Sequence, residues 1–141
     1  MAEELRRFVD AQDGVIERAL AELGAGLKRT HWMWFVFPQL RGLGRSEMAH
    51  RYGIDGLAEA RAYLAHAELG PRLLRAVDAV VAAPGSAAEI LGEIDAKKLR
   101  SSATLFLRAK PDEPRFQALL DRFFGGEPDP MTDALLAREH R

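Results

Sequence analysis

The chain has 141 residues, 48 % of them hydrophobic and 29 % charged, with a formal net charge of −1 and no cysteine. That is enough for one domain with a core that needs no covalent staples; it excludes disulfides, thiolate metal sites and cysteine nucleophiles, and a charge so near zero argues against a general nucleic-acid binder. No run approaches the roughly 18 to 20 apolar residues of a membrane span, and the charged start Met1-Ala2-Glu3-Glu4-Leu5-Arg6-Arg7 is no signal peptide, so a cytoplasmic protein is expected.

From the N-terminus, Leu5, Phe8 and Val9, then Val15, Ile16, Ala19, Leu20 and Leu23, recur at three- and four-residue spacing and predict a buried helical face ended by Gly24 and Gly26. His31-Trp32-Met33-Trp34-Phe35-Val36-Phe37-Pro38-Gln39 follows, placing both tryptophans and two phenylalanines within six residues. Periodicity leaves this run open as a short buried strand or a buried helical turn. Ser46 is a cap for a short helix through Tyr52 with Gly53 at its C′ position, and Asp55 a cap for the next, to about His66.

Gly70-Pro71 breaks the chain and puts proline in a first helical turn, with Leu73, Leu74, Val77, Val80 and Val81 on one side as far as Pro84-Gly85. Ser86-Ala87-Ala88-Glu89 matches a capping box for a short helix to Leu91. Asp95 is expected to cap a helix with Leu99, Ala103, Phe106 and Leu107 inward. Asp112 and Pro114 open one with Phe116, Leu119, Leu120 and Phe123, ended by Gly125-Gly126. Asp129-Pro130 opens the last, with Met131, Leu135 and Leu136 apolar. Alternating strand patterns are nearly absent. The expected fold is all-α: residues 1–141 as a single domain of about seven to eight short helices with little or no β.

Two constellations carry candidate chemistry. Arg41-Gly42-Leu43-Gly44-Arg45-Ser46 leads into a helix start, where free backbone N–H groups favour an anion, glycines allow close approach and arginines clamp phosphate or carboxylate. It lacks the ending of a Walker loop and the spacing of a dinucleotide fingerprint. A turn-forming surface loop is the alternative. On the Asp95 helix, Lys97, Ser101 and Thr104 lie on one side and Lys98, Ser102 and Leu105 on the next, beside inward-facing Phe106; the hydroxyls either line a pocket, with Lys98, Ser101 and Thr104 as candidates, or bond back to their own helix. Trp32 or Trp34 is a candidate for stacking on a flat ligand, set against the usual fate of aromatic runs as core. His31 and Asp95 are the candidate catalytic acid–base groups, with Glu47 nearby. His50, His66 and His140 show no ligand spacing, so neither a metal site nor a cofactor is expected.

The motifs at Arg7–Gln12, His31–Gln39, Gly42–Ser46, Tyr52–Ile54 and Lys98–Phe106 together resemble a bacterial family of unknown function whose members are sometimes labelled calpastatin. The residue usage, rich in Ala, Arg, Leu and Glu, is similar to that of a GC-rich bacterial genome. The resemblance runs from about Phe8 to the last helix. It implies a small, mostly α single domain like that of a mycobacterial hypothetical protein of the family, and no established activity. Tyr63 to Leu74, with His66-Ala67-Glu68-Leu69 before Arg72-Leu73-Leu74, is in addition similar to a stretch of the NADAR proteins, which are linked to N-glycosidic hydrolysis of ADP-ribose-type compounds. Leu99 and Arg100 stand where that family has a tryptophan-glycine motif, so the likeness implies a ligand class and transfers no catalytic residue.

Three readings follow. The first is an enzyme that binds or hydrolyses a nucleotide or phosphorylated riboside. The second is a non-catalytic sensor of such a small anionic ligand. The third is a protein–protein module anchored on the aromatic run. The sequence leaves the oligomeric state open.

Overall fold

The computed structural model describes the backbone of residues 2–139 and the side chains of residues 4–138; His140, one of the histidines considered above, lies outside them. Ten helices run through the described residues: α1 (Ala2–Gln12), α2 (Ile16–Gly24), α3 (Met33–Val36), α4 (Glu47–Arg51) and α5 (Leu57–Ala65), then α6 (Leu69–Ala82), α7 (Ala87–Leu91), α8 (Glu93–Ala109), α9 (Pro114–Phe124) and α10 (Pro130–Glu139). The all-α single domain stands as expected, with more helices than seven or eight. The N-terminal run divides at Gly14, whose φ of +75° is a conformation that L side chains rarely adopt, and the aromatic run makes a helical turn of its own. The only strand-like feature among the described residues is an isolated parallel bridge between Leu40 and Ile54.

Helix α8 is the axis of the molecule. Leu99 and every residue from Ser101 to Leu107 are buried, because α5, α7, α9 and α10 pack around it. A helix buried nearly all round must satisfy its polar side chains internally. Against this axis runs a line of touching rings: Phe35 to Tyr52 at 5.4 Å, Tyr52 to Phe8 at 5.9 Å, Phe8 to Tyr63 at 5.2 Å, Tyr63 to Phe106 at 5.4 Å and Phe106 to Phe116 at 5.7 Å. The separations fall in the range preferred by aromatic pairs, here tilted or edge-on except for the stacked Phe106 and Phe116. The buried Gln12 amide closes this core's polar account, donating to the Phe35 carbonyl at 2.7 Å and the Tyr63 hydroxyl at 3.0 Å and accepting from Arg72 at 3.4 Å. Burial pushes the Tyr63 hydroxyl pKa well above its usual value, with Gln12 and Arg72 opposing.

Short helices leave many end carbonyls unpaired, and arginines satisfy them. Arg7 donates to the carbonyls of Arg51 and Gly53 after α4, Arg61 to Ala109 at the end of α8, and Arg122 to Ala83 and Gly85 after α6. Ser46 caps α4 and Ser86 with Glu89 forms the capping box of α7, as the sequence predicts. Three expected caps are corrected. Asp55 pairs with Arg41 and leaves the start of α5 to Gly56; α8 begins at Glu93 with Gly92 before it, so Asp95 sits inside the first turn; and Glu113, not Asp112, caps α9. Ion pairs claim the carboxylates of Asp55 and Asp95, and at α9 the cap is shifted by one residue.

Candidate functional site

Segment 28–36 is tied down from beneath by Glu22. Its buried carboxylate accepts the backbone N–H of Arg29 at 2.7 Å and of Thr30 at 3.0 Å, the Thr30 hydroxyl at 2.7 Å and the Trp32 indole N–H at 2.9 Å. Burial alone would raise its pKa, yet these four hydrogen bonds to the charged form outweigh it and lower the value to about 2. Trp32 is 0 % exposed, so it has no face to offer a ligand and serves the core. Trp34 is half-buried.

Asp95, in the first turn of α8, holds Lys28 at 3.0 Å and Lys98 at 3.5 Å. The two ammonium groups lie over the two indoles, Lys28 at 5.3 Å from the Trp32 ring centre and Lys98 at 5.1 Å from that of Trp34. Asp95 is thus engaged between two cations. His31 is exposed at the head of the segment.

The glycine-arginine segment is tethered by the bridge that pairs Arg41 N with Ile54 O and Ile54 N with Gln39 O, both at 2.8 Å. Arg41 turns towards α4, donating to the His50 carbonyl and to Asp55. Arg45 is exposed. Gly42 has φ +105°, and a Cβ on Gly44 would stand 2.6 Å from that of Ala49, so only glycine lets this loop close on α4. At the start of α4, a helix of five residues, Ser46 Oγ accepts the Ala49 N–H at 3.0 Å, taking up one of the N–H groups on which an anion there would depend.

The α8 hydroxyls both bond back and hold a neighbour. Ser101 donates to Lys97 O at 3.2 Å or Asp129 Oδ2 at 3.1 Å; Thr104 donates to Arg100 O at 2.8 Å and accepts Asp129 N–H at 2.8 Å. With Arg100 gripping the carbonyls of Glu127 and Pro128, each at 3.0 Å, these bonds dock the start of α10 onto α8.

Between the loop, α8 and that docked segment lies an open cleft of about 350 Å³. Gln39, Leu43 and Gly44 line it from the loop, Ile94, Lys97, Lys98 and Ser101 from α8, and Asp129 and Met131 from the start of α10. Ile94 and Met131 are 74 % and 64 % exposed, the two most exposed large hydrophobic side chains of the described residues. Met131, apolar by character, therefore stands in solvent.

Of the residues singled out from the sequence, the cleft brings together Gly44, Lys98 and Ser101, while His31, Arg41 and Asp95 are not among its lining residues and Thr104 is fully buried beneath it. Gln39, Leu43, Ile94, Lys97, Asp129 and Met131 complete it. Only Lys97, one turn before Ser101 on the same helix, carried a sequence signal for this. Among the described residues no group of three or more His, Asp or Glu side chains could hold a metal ion, and no helix is long and apolar enough to cross a membrane.

The profile of a family of proteins of unknown function, DUF1810, matches residues 2–136. The structure is similar to the crystal structure of the conserved hypothetical protein Rv1873 from Mycobacterium tuberculosis, with 54 % sequence identity and a TM-score of 0.93 over 95 % of this chain and 96 % of that one. No functionally curated protein matches the chain. These matches lend no support to the calpastatin label or to the NADAR likeness of residues 63–74, and they carry no activity with them. The chain belongs to the DUF1810 family of proteins of unknown function.

Proposed function

We propose that the cleft between the 39–44 loop and α8 binds a small phosphorylated riboside or nucleotide-like anion, and that the protein is a binding module for it. The observation that carries this reading is the pairing of two lysines, Lys97 and Lys98, with two apolar side chains held out in solvent, Ile94 and Met131, around one concave space. A flat ring with an anionic tail matches that combination: the apolar side chains cover the ring and the ammonium groups take the charge. Lys98 has only a 3.5 Å contact with Asp95, loose enough for a phosphate to compete for it. Hydrolysis has less support than binding, because Asp95 is held between two lysines and His31 does not line the cleft.

A thermal-shift series with adenosine 5′-monophosphate, ADP-ribose and ribose 5-phosphate tests the reading. A ligand at a hundredfold excess over its Kd stabilises by about 2.7 kcal/mol, and Lys97→Ala weakens that effect while leaving the fold intact, since the side chain is exposed. Absence of any shift in the wild type contradicts it. The same two apolar side chains favour a second reading, a contact surface for another protein; it predicts that replacing Ile94 and Met131 with serine alters association and leaves nucleotide titrations flat.

A further inference from the structure

We propose that Asp129 makes the cleft select a ribose, its carboxylate accepting hydrogen bonds from the vicinal 2′- and 3′-hydroxyls; this rests on the riboside reading above. One oxygen of the carboxylate is engaged: Oδ2 accepts from Thr132 N at 3.1 Å and from Thr132 Oγ at 2.6 Å, and it shares the Ser101 hydroxyl, 3.1 Å away, with Lys97 O. Its backbone is held as firmly, by Thr104 at the Asp129 N–H and by Arg100 at the two preceding carbonyls. Among the described residues Oδ1 takes part in none of these bonds, and no cation lies within ion-pairing distance of the carboxylate. The side chain is therefore a preorganised acceptor in the lining of the cleft, with one oxygen uncommitted.

An ionised carboxylate is an acceptor only, so it takes hydroxyl donors and repels a bare anion. Lys97 and Ser101 are four residues apart on α8, about 6 Å along the axis, and Ser101 is where the Asp129 carboxylate docks. The lysines and the docked carboxylate thus meet the same cleft from neighbouring turns of α8, where the phosphate and the hydroxyls of one sugar phosphate would need them. A phosphate at Lys97 and Lys98 would leave the sugar ring towards Asp129 and the base among the apolar side chains of the cleft. Inorganic phosphate or a deoxyriboside satisfies only part of this arrangement.

Calorimetric titration with adenosine 5′-monophosphate and 2′-deoxyadenosine 5′-monophosphate decides the point, on the wild type and on Asp129→Asn. Asparagine keeps an acceptor for the α10 start; a circular dichroism spectrum checks the helices. The expected result is a preference of about tenfold or more for the ribonucleotide that falls below about threefold in Asp129→Asn, with deoxynucleotide affinity kept. Equal affinities in the wild type overturn the ribose role and leave the anion site standing. A preference that survives in Asp129→Asn overturns the assignment to Asp129. No binding of either nucleotide overturns this inference and the riboside reading together. If the variant loses helicity, the wild-type comparison of ribose 5-phosphate with 2-deoxyribose 5-phosphate decides, equal binding overturning the ribose role.

Discussion

Lys28 Nζ lies 3.0 Å from Asp95 Oδ2, and this contact joins the segment leading into the aromatic turn to the first turn of α8. Both side chains are largely shielded, 10 % and 17 % exposed, so the pair holds two elements distant in sequence in one register. Removing one partner of a shielded pair costs more than the pair is worth, because the other charge is left without compensation. Asp95→Asn is expected to destabilise the protein by about 2 kcal/mol in urea unfolding. Adding Lys28→Met to that variant should recover part of the loss, and a strictly additive double mutant would contradict the coupling.

Glu22 is the second anchor of the same segment. With a folded-state pKa of about 2 against an ordinary 4.5, its charge contributes stability that is fully present above about pH 4.5 and is lost as the pH falls through about 2. Glu22→Gln removes that term, so the stability gap between wild type and variant should narrow as the pH is lowered across this window. At neutral pH, Glu22→Ala should cost about 3 kcal/mol by stranding the Trp32 indole, the Thr30 hydroxyl and two amides. Parallel unfolding curves at pH 7 and pH 3 measure both effects.

The two tryptophans should report separately. Trp32 is enclosed and Trp34 half-buried beneath Lys98. In Trp34→Phe the remaining emission should be blue-shifted and nearly insensitive to acrylamide, whereas the wild type should quench in part. Strong quenching of Trp34→Phe would contradict the enclosure of Trp32.

Local signals in the sequence were reliable where the partner is also local. Ser86 and Glu89, or Ser46 and the amide three residues on, need nothing from elsewhere in the chain. Asp55 and Asp95 misled because Arg41 and Lys28, 14 and 67 residues away respectively, claim their carboxylates (55 − 41 and 95 − 28). The aromatic run resisted a choice between strand and helix because nearly all of it is buried, which erases periodicity. Met131 was visible only as an apolar residue of the last helix and Ile94 carried no signal, since nothing in an apolar letter says whether its neighbours cover it. The cleft joins residues 39–44, 94–101 and 129–131, and only folding brings those three stretches together. Its lysines and glycine were visible one at a time, its shape was not.

An adenosine 5′-monophosphate titration of isotope-labelled protein, followed through backbone amide resonances, tests the central claim most directly. Binding in the cleft predicts saturable shifts that cluster at Leu43, Gly44, Lys97, Ser101 and Met131, and that weaken in Lys97→Ala. Shifts centred instead on Arg6, Arg7 and Arg51, which line a separate cavity beside α1, or a spectrum unchanged at millimolar nucleotide, would contradict it.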